Sequence, residues 1–547
     1  MLKKLQIQFF WMALLSVNLL SDINAQTPNI VLGRPTNNAM TVSVMFSQNM
    51  EFYLEYGTLS GTYTWQTYSV THTANTPNEV DITNLTPNTK YFYRVKYRQA
   101  STSAYTNSPE YSFRTQRSAG STFTFTIETD EHLYDKKGVT SLYQIALNNQ
   151  AEDKPDFMLS LGDIFGDDHN PTTITDTELN DLHKFYRPYL GTICHSIPFY
   201  VCLGNHEGEF DYYLNQNPPN NLAVMGTKWR KFYYPNPSPN AFYTGNTTVE
   251  GFGIGNPENY YAWTWGDALF VVLDVYRDQC DTSATPRKWD WSLGAPQYNW
   301  LKTTLETSTA KYKFVFAHHV RGLGRGGITN ARYYEWGGYE ENGSSRYTFP
   351  TKRPGWAKPI HQLFVDNGVN IFFQGHDHVY SHEVLNGVTY QACPMPADTT
   401  YQIGMLANAD AYTADTIAGS GHIRVAVSDA CVKVDFVRAY QPIDTLGSHK
   451  NREVAFSYTI GTCAPVSGVE SASQDIKVFP NPTYNSVSIE LPQSSNLCSV
   501  KLTNTLGQTL IETQQTPEVQ LGHLPNGLYF MHIKTDNQLV VHKVLKQ

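Results

Sequence analysis

Short runs in which apolar and polar residues alternate occupy both ends of the chain. Within residues 26–117, apolar positions such as Phe52, Leu54 and Tyr56 recur every second residue, with proline and asparagine turns between the runs. A period of two residues is typical of half-buried β-strands. Tyr91 begins such a run directly after a turn, as the tyrosine corner of a β-sandwich requires. The pattern predicts an N-terminal β-sandwich.

The same alternation returns in residues 475–547, for example at Val487, Ile489 and Leu491. Residues 461–474 before it are poor in large apolar side chains and rich in serine, glycine and proline, which is typical of a linker. We therefore predict a linker followed by a second, smaller β-sandwich.

In residues 118–460, strand-like runs alternate with helix-like runs, which is typical of a layered α/β domain. Five apolar runs are each followed within two positions by a residue that can bind a metal ion. These are 123–128 with Asp130 and His132, 157–161 with Asp163, 197–203 with Asn205 and His206, 312–317 with His318, and 369–374 with His376 and His378. Ligands bind at the carboxyl ends of strands in such sheets, so we expect the five segments to converge on one site.

Composition favours a β-rich protein outside the cytosol and argues against binding to nucleic acid. Charged residues make up 16% of the 547 positions, against about 25% in an average soluble protein, whereas aromatic residues reach 13%. The formal net charge is -9, and no basic run is longer than a pair such as Lys136 and Lys137. The seven cysteines are too few for a disulfide framework. We expect Cys194 and Cys202 to be buried apolar residues, although a disulfide after export stays open.

Residues 1–25 have the pattern of an export signal, with Lys3 and Lys4 at the start and an apolar stretch over residues 9–20. A membrane anchor is the alternative, but it needs about 20 apolar residues, and this stretch has twelve. We predict a cleaved leader, no transmembrane segment in the mature chain, and a secreted or cell-surface location.

The five segments resemble the signature of the calcineurin-like metallophosphoesterases, which runs D-x-H, G-D, G-N-H-[DE], a later H, and G-H-x-H. The resemblance implies a four-layer α/β fold in which a β-sandwich is flanked by helices. It also implies two ions of iron, zinc or manganese and attack on phosphorus by a bridging hydroxide. One ion would be held by Asp130, His132, Asp163 and His378, and the other by Asp163, Asn205, His318 and His376, with Asp163 bridging both.

His206 adjoins a ligand without being needed as one. We therefore expect it to donate a proton to the leaving oxygen, with Glu207 holding its tautomer or raising its pKa. A histidine that only hydrogen-bonds within the site is the alternative. Asn205 would face the charge that develops around phosphorus.

A glycine-rich loop follows the fourth segment and offers candidates for a clamp on phosphate oxygens. These are His319, Arg321 and Arg325. A solvated flexible loop explains the same residues equally well.

The flanking sandwiches also resemble known domains. The N-terminal one looks like the fibronectin type III fold that precedes the catalytic domain of purple acid phosphatases, and would form a wall of the active-site entrance or a spacer. The C-terminal one resembles the sorting domain of the type IX secretion system through residues 478–482, 504–507 and 527–530. The resemblance implies that the type IX secretion machinery is a partner. The alternative is that the sandwich is an ordinary adhesive or carbohydrate-binding domain.

Two positions depart from purple acid phosphatases, which have D-x-G in the first segment and a tyrosine three residues after the second aspartate. Here those positions are His132 and Gly166. We therefore expect no Fe(III)–tyrosinate colour.

These patterns predict an exported three-domain enzyme that hydrolyses a phosphate ester. A phosphomonoesterase, similar to acid phosphatases, is favoured by the N-terminal sandwich and the candidate clamp. The alternatives are a phosphodiesterase or nucleotidase with the same site, and a surface adhesin whose metal ions are structural.

Overall fold

A computed structural model describes residues 27–99, 102–166, 173–214, 216–279, 288–320, 324–341, 346–445, 447, 449–463, 476–491, 496–504, 508–535 and 539–547. The predicted leader (1–25), Arg321 and most of the predicted linker (461–474) lie outside these residues. The chain divides into two compact units after Thr462, and each is described by itself.

The N-terminal domain is a β-sandwich, as predicted. Its strands are β1 Asn29–Gly33, β2 Met40–Met45, β3 Met50–Gly57, β4 Trp65–Gln66, β5 Val70–His72, β6 Asn78–Ile82, β7 Lys90–Arg98, β8 Thr106–Asn107 and β9 Tyr111–Arg114. β1, β2 and β6 form one sheet, and the other strands form the second. Val42, Phe52 and Tyr93 belong to one buried cluster within this domain. The Thr86 N–H donates to the Tyr91 hydroxyl over 2.9 Å, which confirms the tyrosine corner.

The central domain contains strands β10 to β25 and helices α1 to α8. The strands are β10 Phe123–Glu128, β11 Phe157–Ser160, β12 Phe199–Val201, β13 Thr244–Gly245, β14 Tyr261–Trp265, β15 Ala268–Val272, β16 Asp278–Gln279, β17 Trp291–Ser292, β18 Tyr312–Phe316, β19 Ile371–Gln374, β20 Val379–Leu385, β21 Val388–Ala392, β22 Thr416–Ala418, β23 Gly421–Val427, β24 Cys431–Arg438 and β25 Val454–Gly461. The helices are α1 Thr140–Glu152, α2 Asp176–Gly191, α3 Asp211–Leu214, α4 Leu222–Tyr233, α5 Gly294–Thr307, α6 Tyr334–Gly337, α7 Phe349–Lys352 and α8 Ile360–Asp366, with 3₁₀ turns at Asn330–Arg332 and Pro442–Thr445.

The five predicted strands divide between two sheets. One sheet has the order β12-β11-β10-β23-β24-β25, and the other has the order β13-β14-β15-β18-β19-β21-β20-β22. β10 and β12 each pair in parallel with β11, and β18 and β19 are parallel neighbours in the second sheet. The segments that follow these five strands are therefore brought together from both sheets.

Aromatic side chains hold the two sheets together. The ring of Phe125 on β10 lies 5.1 Å from that of Phe270 and 5.6 Å from that of Phe314, both on the second sheet. α1 and α2 pack on the outer face of the first sheet, where Met158 is buried, and α5 and α8 pack on the outer face of the second, where Val315 is buried. Burial on both faces explains why these strands read as continuous apolar runs. The predicted four-layer fold is confirmed.

The N-terminal domain is fixed to the central domain through α2 and the turn that follows it. The Arg187 guanidinium donates to the Ser43 carbonyl over 2.8 Å, and the Tyr93 hydroxyl donates to the His195 carbonyl over 2.7 Å. The Leu32 N–H donates to the Cys194 carbonyl over 2.9 Å. Cys194 and Cys202 are buried free thiols, so the disulfide that the sequence left open is absent.

The C-terminal unit is a small β-structure with its own core. Its strands are β26 Lys477–Phe479, β27 Ser486–Glu490, β28 Leu497–Thr503, β29 Thr509–Gln514, β30 Glu518–Gln520, β31 Gly527–Thr535 and β32 Leu539–Lys546. They form the sheets β26-β27-β30 and β29-β28-β31-β32, which bury Val487, Leu502 and Ile533 in one cluster. Among the described residues, no helix of the chain has both the length and the apolar character to cross a membrane.

Candidate metal centre

Side chains from all five predicted segments lie together at the carboxyl ends of the two sheets. Two groups of donors have ligand atoms within 4.8 Å of one another: Asp130 with His132 and His378, and Asp163 with His318 and His376. Asn205 lies beside the second group, with its Oδ1 2.9 Å from His376 Nδ1. The structure thus brings together all seven residues that the resemblance implies as ligands.

The backbone turns sharply at five of these residues, each of which comes soon after a strand. The φ angles are 59° at Asp130, 49° at His132, 61° at Asp163, 71° at His376 and 58° at His378. Left-handed backbone at a residue other than glycine costs about 1–3 kcal/mol. The folded structure therefore holds an unfavourable backbone conformation at the residues whose side chains form the two donor groups.

The first group surrounds one carboxylate oxygen. Asp130 Oδ2 accepts hydrogen bonds from the Thr129 hydroxyl (2.7 Å) and the His376 N–H (2.8 Å). Asp130 Oδ1 is buried without a hydrogen-bond partner among the described residues, and lies 3.5 Å from His378 Nε2 and 3.9 Å from His132 Nε2. The two Nε2 atoms are 3.1 Å apart. Three donor atoms therefore face one point.

The second group contains two acceptors that face each other. His318 Nδ1–H donates to the Leu161 carbonyl over 2.8 Å, so in the neutral ring the lone pair is on Nε2. Nε2 lies 3.1 Å from Asp163 Oδ2, and within the described chain neither atom has a hydrogen-bond partner. Two lone pairs at this distance repel unless a cation or a proton lies between them. Imidazole nitrogens with carboxylate oxygens suit divalent transition metals, so the residues fit a metal site.

The pKa values of His318 and His376 also indicate that the site attracts positive charge. Burial lowers the pKa of His318, but the carboxylates of Asp163 and Asp130 outweigh burial and raise it to about 10. Burial and the charge of His318 lower the pKa of His376 to about 3. The carboxylates thus attract one positive charge, which is a proton on His318 when no cation is bound, and the low pKa of His376 keeps its ring neutral.

His206 lies beside the two groups, and 13% of its side chain is accessible. Its Nε2 is 3.8 Å from Asp163 Oδ2, and its backbone N–H donates to Asp163 Oδ1 over 2.8 Å. His206 also forms a third possible donor group with His132 and Asp163. The position suits a proton donor that borders the metal site.

The predicted clamp residues are only partly brought to the site. The buried ring of His319 has its centroid 4.7 Å from that of His376. Arg325 is half exposed, and its Nη1 lies 3.8 Å from Asp377 Oδ1. The Gly326 N–H and the Tyr412 hydroxyl hold Asp377 from the other side through Oδ2. Arg321 lies outside the described residues.

Glu207 has a role in the structure that the sequence did not indicate. Its carboxylate accepts hydrogen bonds from the backbone N–H groups of Asp163, Ile164, Phe165 and Gly204, at 2.6 to 3.1 Å. Glu207 therefore joins the loop after β11 to the loop after β12 and fixes the backbone of Asp163. Sequence reasoning missed this, because the contact joins residues more than 40 positions apart.

Sequence reasoning also missed three residues near the ligands. The Tyr134 hydroxyl and the Asp135 carboxylate both contact His132 Nδ1. Tyr276 has its ring centroid 6.1 Å from that of His318. The tyrosine hydroxyl is buried without a hydrogen-bond partner in the part of the chain that the structure describes. An aspartate three residues after the first histidine was the available signal for Asp135.

The purified protein is expected to show no visible tyrosinate-to-iron absorption band. A Cβ at Gly166 would lie 1.5 Å from the His206 carbonyl oxygen, so the backbone leaves no room for a tyrosine there. Burial and the charge of Asp163 raise the pKa of Tyr276 well above its usual range, which disfavours a tyrosinate there. A visible spectrum of the iron-loaded protein checks this, with Tyr276→Phe as the control. A band that Tyr276→Phe removes would contradict the prediction.

Comparisons with known proteins match three parts of the chain. Residues 123–380 match the family model of the calcineurin-like phosphoesterases, residues 26–115 that of the purple acid phosphatase N-terminal domain, and residues 477–547 that of the secretion system C-terminal sorting domain. No curated protein sequence matches the chain.

Two solved structures share the fold over most of the chain. PhoD is 15% identical with a TM-score of 0.54, over 80% of this chain and 91% of that one. A purple acid phosphatase from yellow lupin (Lupinus luteus) seeds is 16% identical with a TM-score of 0.53, over 80% of this chain and 75% of that one. At this identity the likeness concerns the fold alone.

Proposed function

We propose that the protein, a metal-dependent phosphoric ester hydrolase whose residues 123–380 match the calcineurin-like phosphoesterases, hydrolyses phosphate monoesters with two metal ions. The observation that carries the proposal is the pair of donor groups around Asp130 and Asp163. The sorting domain implies type IX secretion to the cell surface or beyond. The cleaved leader remains a prediction.

A carboxylate shared by two sites is supported by the position of Asp163. Its carboxylate belongs to two donor groups, one with His132 and His206 and the other with His318 and His376. Two bound cations would activate a water molecule and neutralise the charge of the phosphate group. Asp163 would hold them together, because a shared carboxylate offsets the repulsion between two close cations.

The chain's own residues would then handle the proton and the substrate. His206 would donate a proton to the leaving oxygen, since its position is fixed by the bond from its N–H to Asp163. Arg325 and His319 would bind the outer phosphate oxygens. A monoester dianion gains more from a cationic guanidinium than a diester monoanion does, which favours the monoester as substrate.

Elemental analysis of the purified protein and parallel assays of an aryl phosphate monoester and diester test the proposal. About two transition-metal ions per chain and a kcat/KM at least about tenfold higher for the monoester are expected, because the clamp discriminates by charge. Chelator-treated protein, assayed before and after reloading with Mn²⁺, is the control. Faster hydrolysis of the diester would assign the site to a phosphodiesterase, and bound metal without either activity would favour the adhesin.

A further inference from the structure

Nδ1 of His132, the ring nitrogen that faces away from the Asp130–His378 donors, has two polar neighbours in its own loop. Asp135 Oδ2 lies 3.2 Å from His132 Nδ1, and the Tyr134 hydroxyl lies 3.1 Å from the same nitrogen. The ring itself is buried. His132 is thus placed between these neighbours on the Nδ1 side and the Asp130–His378 donors on the Nε2 side.

The Asp135 carboxylate is itself held in place. Lys137 Nζ lies 2.7 Å from Asp135 Oδ2, and the Lys137 N–H donates to Oδ1 over 3.1 Å. Asp135 is 14% exposed and comes three residues after His132. The carboxylate therefore meets the imidazole in a fixed position, and the neighbouring ammonium maintains its negative charge.

These contacts determine which nitrogen carries the proton. A carboxylate only accepts hydrogen bonds, so beside it Nδ1 must be the N–H, and the lone pair is then on Nε2. If the Tyr134 hydroxyl donated to Nδ1 instead, the Asp135 oxygen would face a lone pair and the Nε2 proton would point at His378. The charged neighbour makes the first arrangement the more stable.

We infer that Asp135 is a positioning residue for the metal centre, which fixes the tautomer and orientation of His132 and strengthens Nε2 as a ligand. The inference rests on the proposed function, because it requires His132 to bind a metal ion. A partner of this kind on the far nitrogen of a ligand histidine is worth about 10- to 100-fold in metal affinity.

Titration of chelator-treated full-length protein with Mn²⁺ in a calorimeter tests the inference. Asp135→Asn removes the charge but keeps an acceptor, and Asp135→Leu removes both. We expect one of the two Mn²⁺ affinities to fall, more in the leucine variant and by about 10- to 100-fold, with the melting temperature of the metal-free protein little changed.

Asp429→Asn is the matched control, since Asp429 also pairs with a lysine, at 2.9 Å from Lys311. It follows β23, in which Val427 pairs with Phe123 at the start of β10, so it lies at the opposite end of that strand from Asp130. Its Mn²⁺ affinities should equal those of the wild type.

Two results would overturn the inference. One is wild-type Mn²⁺ affinity in both Asp135 variants, and if the leucine variant does not fold, the asparagine variant decides. The other is a larger loss in Tyr134→Phe than in the Asp135 variants, which would make the tyrosine the determinant. Wild-type protein that binds no Mn²⁺ would instead refute the proposed function. If His132→Ala loses one site while the Asp135 variants retain it, only the inference about Asp135 fails.

Discussion

Asp163→Asn is expected to lower kcat/KM for an aryl phosphate by about 10³-fold, which corresponds to about 4 kcal/mol of lost transition-state stabilisation. Asparagine has the same shape and can still accept the His206 N–H, now at 2.8 Å from Asp163 Oδ1. Asparagine lacks, however, the negative charge that would offset the repulsion between two bound cations. Metal content should fall from about two ions per chain to one or none.

Steady-state kinetics and elemental analysis of the same preparation measure both effects. Asp267→Asn is the control. Asp267 lies in the turn before β15, away from the donor groups, and its carboxylate accepts a hydrogen bond from the Gly120 N–H. If Asp163→Asn retained both metal ions and full turnover, the shared-carboxylate assignment would be wrong.

His206→Ala should lower kcat by about 10²- to 10⁴-fold and leave the metal content unchanged. The loss should be larger for an alkyl phosphate than for p-nitrophenyl phosphate, because the nitrophenolate departs without needing a proton. This dependence on the leaving group separates proton donation from a general loss of structure.

His523→Ala, at an exposed position of the C-terminal unit, is the matched control for this substitution. The result that would contradict the assignment is loss of metal from His206→Ala together with an equal loss of activity on both substrates. His206 would then act as a ligand in the group that it forms with His132 and Asp163.

Local sequence pattern was enough to locate the strands that carry the centre. The run 123–128 coincides with β10, and the run 312–317 exceeds β18 by one residue. Buried parallel strands give unbroken apolar runs, and polar residues mark where they end. The run 197–203 exceeds β12 by two residues at each end, although Pro198 and Cys202 still form backbone hydrogen bonds with β11.

Contacts between distant segments were not predictable in the same way. Nothing near Glu207 in the sequence indicates that its carboxylate accepts the N–H groups of the loop after β11, because that depends on how two loops pack. Tyr276 reads as the end of an apolar run, yet its ring lies beside His318. Asp135 is close to His132 in the sequence, but nothing in the sequence shows the left-handed backbone at His132.

The left-handed backbone at five candidate ligands lowers the stability of the fold at the residues that the metal centre needs. At about 1–3 kcal/mol each, their combined strain is comparable to the net stability of a whole domain, about 5–15 kcal/mol. Glycine at any of these positions would relieve the strain and remove a donor in the same step. Mutational drift toward a more stable metal-free fold therefore leads away from an intact centre, and selection for metal binding is needed to retain these five side chains.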